Sequence, residues 1–303
     1  MRVGYKNVRH EYYPDGEPAP RIMADYDDLK GKRVALVIRS KQLPTRDSVC
    51  RLLHNAERET GNLSRLYGAE VDIIMPYYLL GRQDKDPRTS DDPMVRERDK
   101  GKDIGYEFIA RSFKAHGANR IITITPHFHR DRYNYDVIEI EGLEIVCISG
   151  VNALARYARE LIERDMLNED ALIIAPDEHA YGMAERFRSM VGENFTIEIM
   201  EKKRISGDKV TRRSGIECGG KEVVIIDDIL STMGTIKTLL SRLNGARHVD
   251  IFAVHGVLPE EGLRRARGMI SSESARRIIT TDTVDNDYAR ASIIPDIAKL
   301  YLD

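Results

Sequence analysis

The chain has 303 residues, 42% of them hydrophobic, and a net charge of −2 from 47 Lys and Arg against 49 Asp and Glu. That length suits two domains of ~150 residues each. No stretch approaches the ~20 consecutive apolar residues of a membrane span, and the balanced charge leaves no basic footprint for nucleic acid. The three cysteines, Cys50, Cys147 and Cys218, match no C-x-x-C spacing. Reduced thiols in a cytoplasmic protein are therefore expected, and the polar residues 1–16 lack the apolar stretch of a secretory signal.

Taken in chain order, short runs rich in Val and Ile predict strands at Arg33–Arg39, Val71–Met75, Arg120–Thr125, Leu143–Ile148, Ala171–Ala175, Phe195–Met200, Glu222–Ile226, Val249–Val254 and Arg277–Thr281. Runs of this kind suit strands buried on both faces of a parallel sheet. Between them, amphipathic spacing predicts helices at Val49–Tyr67, Ile104–His116, Asn152–Arg164, His179–Val191 and Thr235–Asn244, with a last one at Ile294–Leu300. The alternation reads as an α/β protein with mostly parallel sheets flanked by helices. A boundary near residues 140–150 divides the chain into comparable halves. The segment Asn119–Thr125, NRIITIT, is echoed by RRIITTD at Arg276–Asp282, which chance and duplication explain equally well. Two polar stretches, Gly81–Lys102 and Lys202–Gly220, are long loops inside α/β units, the usual place for functional segments.

The most informative segment is Val223–Thr235, VVIIDDILSTMGT. It reads as a buried strand ending in two acids, then a hydroxyl-rich turn, then a helix, and open α/β sheets bind ligands beyond the carboxyl ends of their strands. Asp227 and Asp228 suit the vicinal hydroxyls of a sugar. Ser231–Thr235 offers backbone N–H groups and hydroxyls for a phosphate, with Gly234 allowing close approach. Acids at a strand end and hydroxyls at a helix start also have an ordinary capping role, so a shorter match would say little.

The full segment resembles the phosphoribosyl pyrophosphate-binding motif of type I phosphoribosyltransferases and of ribose-phosphate pyrophosphokinases. Other motifs select the latter: Met75–Asp84, MPYYLLGRQD, ending in Arg-Gln-Asp; Tyr13–Glu17, YPDGE; and Ile199–Arg204, IMEKKR, similar to the head of that family's catalytic loop in archaeal members. His255-Gly256 and Thr281–Thr283 also fall where the family has them, so the resemblance covers nearly the whole chain in order.

It implies two type I phosphoribosyltransferase-like domains, 1–142 on the ATP side and 143–285 on the ribose 5-phosphate side. The segment 286–303 would form a C-terminal helix packing back on the N-terminal domain. The implied reaction moves the pyrophosphoryl group of ATP to O1 of ribose 5-phosphate with Mg2+, in a cytoplasmic homo-oligomer. Lys202 and Arg204 are the implied catalytic cations, Arg204 also meeting ribose 5-phosphate. Arg82 and Gln83 contact ATP, and Asp15, Gly16 and Glu17 reach the adenine across a subunit boundary. Asp227, Asp228, Ser231, Thr232, Met233, Gly234 and Thr235 hold ribose 5-phosphate, and His127 and Asp177 are metal-associated. A histidine is a poor direct ligand for hard Mg2+, so His127 is expected to act through water or phosphate.

The sequence also departs from that pattern. The first βα unit is missing or replaced, and extra residues fall within 86–103. Thr125-Pro126 precedes His127 where Asp-Leu is usual. Glu178-His179-Ala180 stands where glycines are common, and Met233 replaces a frequent glycine. Two alternatives follow: a phosphoribosyltransferase that uses the product, and a non-catalytic regulatory homologue.

Overall fold

The structure is a computed structural model that describes residues 8–12, 14, 18–41, 46–84, 86, 93–98, 100–129, 134–200 and 215–302. The chain divides into two compact units. Residues 1–39, 45–128 and 136–147 form the first, and residues 40–44, 129–135 and 148–303 the second.

In the first unit a five-stranded sheet runs in the order Arg33–Val37, Glu70–Ile74, Ala118–Ile124, Leu143–Ile148, Tyr135–Ile140. The first three strands are parallel. Helix Arg46–Tyr67 buries Leu53, Ala56, Thr60 and Leu63, the three- and four-residue spacing of one helical face, and stops at Gly68 with φ +60. Helix Gly105–Ala115 buries Ile109, Ala110 and Phe113 in the same way. Strand Tyr135–Ile140 is absent from the sequence reading. Its alternating burial, and the left-handed pair Glu141 (φ 52) and Gly142 (φ 73) that turns it into Leu143–Ile148, is the two-residue hairpin pattern. Val8–Tyr12 and Pro18–Ile22 pair antiparallel, from Val8 opposite Ile22 to Tyr12 opposite Pro18.

The second unit carries a six-stranded sheet in the order Thr196–Ile199, Leu172–Ala175, Glu222–Leu230, His248–Gly256, Arg277–Thr281, Ala289–Ala291, with every pair parallel. Val223, Ile225, Ile251 and Ile278 of the sheet pack with Met233, Ile236, Leu239, Leu263, Ala266 and Met269 from two helices. One of these helices, Glu260–Ser271, is also absent from the sequence reading. Its two glycines and three arginines dilute the apolar pattern, but Pro259 before it, two glutamates in its first turn and burial at 262, 263, 266 and 269 mark it in hindsight. The C-terminal helix Ile294–Leu302 belongs to this second unit, where Arg156 donates to Asp296 at 3.0 and 2.6 Å.

The sequence echo has a structural counterpart. Asp72 lies opposite Arg120 on adjacent parallel strands and accepts from it at 2.9 Å and from Asn119 at 3.1 Å. Asp250 lies opposite Arg277 and accepts from it at 3.0 and 2.6 Å and from Arg276 at 3.0 and 2.7 Å. Both aspartates are fully buried. The same acid thus meets the same pair of chain positions at the same ladder step in both units, which chance does not readily produce. Among the described residues no helix is long and apolar enough to cross a membrane.

Candidate active site

The strand predicted at Glu222–Ile226 runs on in the structure through the two acids to Leu230. The ladder to the neighbouring strand continues from Asp227 opposite Ala253 to Leu230 opposite Gly256. Asp227 and Asp228 therefore sit on rigid sheet at its carboxyl end. The Asp228 N–H donates to Asp227 Oδ1 at 2.9 Å, fixing one carboxyl against the next backbone unit. Burial pushes the Asp227 carboxyl well above the usual carboxylate range, and the charges of Asp228 and Asp177 push it the same way. Three acids thus share one field, which a substrate hydroxyl or a cation would relieve.

Past Leu230 the chain turns through Ser231, Thr232 and Met233 into helix Gly234–Leu240. Met233 has φ 62, the left-handed conformation that glycine adopts freely, and its side chain is buried at 3% exposure in the core below the turn. The backbone at this position is thus glycine-like, and core packing holds a side chain there despite a strain of ~1–2 kcal/mol. With Met233 as the helix cap and no side chain capping the first turn, the N–H groups of residues 234–236 have no partner within the helix. Thr232 and Thr235 are exposed and Ser231 half-buried. Asp177 accepts from the Ala180 N–H at 3.2 Å, so it also caps helix Glu178–Val191.

In the first unit, Arg82 and Gln83 are exposed on a turn after strand Glu70–Ile74. Leu80 (φ 58) shapes that turn, and the Gly105 N–H bonds Gln83 O at 3.0 Å. A β-carbon at Gly105 would lie 2.6 Å from Leu80 O and 2.7 Å from Gln83 Oε1, so only glycine fits. Phe128 stacks on Tyr106 at 4.5 Å and meets Tyr78 edge-on at 4.9 Å, bringing the His127 turn against the Arg82 turn. Thr125, a β-branched residue with φ 37, leads into His127, which is exposed. Asp15, Gly16, Glu17, Lys202 and Arg204 lie outside the described residues. Strands Val8–Tyr12 and Pro18–Ile22 bracket the first three, and Met200 and Gly215 flank the stretch holding the other two. Among the described residues no group of three His, Cys, Asp or Glu could hold a metal ion.

Tyr106, Phe128 and Arg265 are not marked in the sequence as site residues. The two aromatics carry no motif. Arg265, on the unanticipated helix, donates from Nη1 to Thr232 O at 2.8 Å.

No family model matches the chain. The ribose-phosphate pyrophosphokinase of Methanothermobacter thermautotrophicus is 29% identical over 301 residues, covering 98% of this chain and 91% of its own length. The chain is a relative of the ribose-phosphate pyrophosphokinases. Enzymes of that name from Methanopyrus kandleri, 28% identical over 96% of this chain and 89% of their own, and from Thermococcus kodakarensis, 27% over 97% and 91%, give the same picture. The crystal structure of phosphoribosylpyrophosphate synthetase from Mycobacterium smegmatis superposes with a TM-score of 0.71 over 98% of this chain and 90% of that one, at 23% identity, and shares the fold.

Proposed function

We propose that the chain is a ribose-phosphate diphosphokinase, moving the diphosphoryl group of ATP to O1 of ribose 5-phosphate and releasing AMP. The observation that carries this reading is the Asp227–Thr235 segment, with two acids on rigid strand and a left-handed turn beyond them, in a chain akin to pyrophosphokinases over 98% of its length. Asp227 and Asp228 take the ribose hydroxyls. The N–H groups and hydroxyls of Ser231–Thr235, Met233 and Gly234 included, surround the 5-phosphate. Arg82 and Gln83 meet ATP in the first half, residues 1–142, and ribose 5-phosphate belongs to the second, 143–285. Asp15, Gly16 and Glu17 reach the adenine of a neighbouring subunit in a cytoplasmic homo-oligomer.

Such a transfer asks mainly for positioning and charge neutralisation, because the nucleophile is a sugar hydroxyl. Lys202 and Arg204, on the segment after strand Thr196–Ile199, supply cations where charge builds on the β-phosphoryl group, and Arg204 also meets the sugar phosphate. Carboxylate oxygen such as that of Asp177 suits Mg2+ better than a soft metal. Asp177, with His127 through water or phosphate, would hold it, and Mg2+ when bound neutralises phosphate charge.

Turnover of the parent and of Lys202→Ala tests the reading. The parent should form AMP and 5-phosphoribosyl 1-diphosphate together. The variant should lose ~10²-fold or more in kcat, with substrate affinities little changed. A parent that binds both substrates without turnover is a regulatory homologue instead, and near-parental kcat in the variant removes Lys202 from the mechanism.

A further inference from the structure

A phosphate held by a backbone turn needs the N–H groups of that turn facing inward, so the carbonyls of the same peptides must face away and be satisfied elsewhere. Met233 O accepts from the Lys237 N–H, and helix Glu260–Ser271 meets two further carbonyls of the turn. Arg265 Nη1 donates to Thr232 O at 2.8 Å. Ser231 O lies against the helix at Gly262, where any β-carbon would collide with it. The Arg265 side chain is itself aimed by Glu261, one helical turn earlier, which pairs with its Nη2. The guanidinium also stands beside the turn: a β-carbon at Gly234 would be 3.7 Å from Arg265 Nη1 and 3.7 Å from Thr232 Oγ1. Within Ser231–Thr235 there is no charged side chain, so a phosphate dianion seated there draws its nearest fixed positive charge from outside the segment.

We infer that Arg265 is a positioning residue for the sugar phosphate: it holds Thr232 O outward, keeps the left-handed backbone at Met233 in register, and sets a cation behind the phosphate. The inference rests on the proposed function of the turn. Its effect is confined to the 5-phosphate, because Arg265 touches the turn from outside and neither acid of the strand. Losing it lets the Thr232 peptide rotate, which turns an inward donor into a repelling carbonyl. That weakens ribose 5-phosphate and leaves the ATP side unaltered. Lysine restores the charge but not the planar, paired donation to Thr232 O and Glu261.

The test compares the parent with Arg265→Gln, Arg265→Lys and the control Arg267→Ala, whose guanidinium on the same helix faces Asp287 at 3.5 Å and is 68% exposed. For each, KM for ribose 5-phosphate, KM for ATP, kcat and Tm are measured. The expectation is a rise of at least tenfold in KM for ribose 5-phosphate in Arg265→Gln and a partial rise in Arg265→Lys. KM for ATP and kcat should stay within about threefold, Tm within a few degrees, and the control should match the parent. An unchanged KM for ribose 5-phosphate overturns the inference. So does a parallel rise in both KM values with a large fall in Tm, which is what a merely structural arginine produces. A parent without turnover refutes the proposed function instead, and binding of ribose 5-phosphate by calorimetry to the same variants then judges Arg265 separately.

Discussion

Replacing Asp250 by alanine should cost stability and leave substrate binding alone. Asp250 is fully buried at the start of strand His248–Gly256 and accepts four hydrogen bonds from Arg276 and Arg277, at 2.6–3.0 Å. Breaking a buried ion pair by removing one partner costs ~3–5 kcal/mol, because a desolvated charge is left behind. Here both arginines keep something. Arg276 still meets Glu222 at 3.0 and 2.8 Å, and Arg277 still meets Met166 O at 2.5 Å. The lower end, ~3 kcal/mol, is therefore expected. A chain of two units need not unfold in one step, so the readout is hydrogen exchange by mass spectrometry in mild urea. Peptides covering 222–230 and 248–281 should lose protection, while those covering 70–74 and 118–124 keep it. KM for ribose 5-phosphate should stay within about twofold, since Asp250 lies at the opposite end of the strands from Asp227. A change under about 1 kcal/mol, or an equal loss in both units, refutes the reasoning.

Burial pushes the Glu59 carboxyl up to about 7 from an ordinary 4.5. Below pH 4.5 folded and unfolded chains both hold the proton. From there to pH 7 the unfolded chain releases it first, so stability falls by about 1.4 kcal/mol per pH unit, about 3 kcal/mol in all. Glu59→Gln should erase that loss in urea titrations at pH 8 and change little at pH 4.5; a variant with the parent's pH dependence contradicts the burial argument. Asp227→Ala should weaken ribose 5-phosphate by ~1–3 kcal/mol, the value of a hydrogen bond in such a site, and the parent's KM should rise as pH falls and Asp227 takes up its proton. An unchanged KM in the variant counts against the sugar assignment. If, as proposed, Asp15–Glu17 complete the adenine site of a neighbouring subunit, sedimentation should show at least a dimer, and full activity in a monomer rules it out.

Strands buried on both faces were the easiest features to find, because continuous Val and Ile runs such as Val223–Ile226 have few other uses. Amphipathic helices with an undiluted face, such as Gly105–Ala115, were as plain. Helix Glu260–Ser271 was hidden because its packing surface is made of Gly262 and Ala266 as much as of Leu263 and Met269, and close approach to Ser231 is what glycine supplies there. The strand through Asp227 and Asp228 looked shorter than it is, since acids at a sheet's end read as a stop while the ladder runs on to Leu230. The Val223–Thr235 segment stood out because two acids and a hydroxyl-rich turn are an unusual end to an apolar run. Residues that act through distance did not show: Arg265 beside the Thr232 turn, and Tyr106 and Phe128 between the Arg82 and His127 turns, carry no motif. Met233, which stands where glycine is frequent, has the left-handed φ of 62 that such a position implies.

ATP labelled separately at its α, β and γ phosphorus atoms gives the most direct test. Incubated with the chain, ribose 5-phosphate and Mg2+, the β and γ labels should move together into the sugar product, and the α label should remain in AMP. Transfer of the γ label alone, with β retained in ADP, would contradict the account.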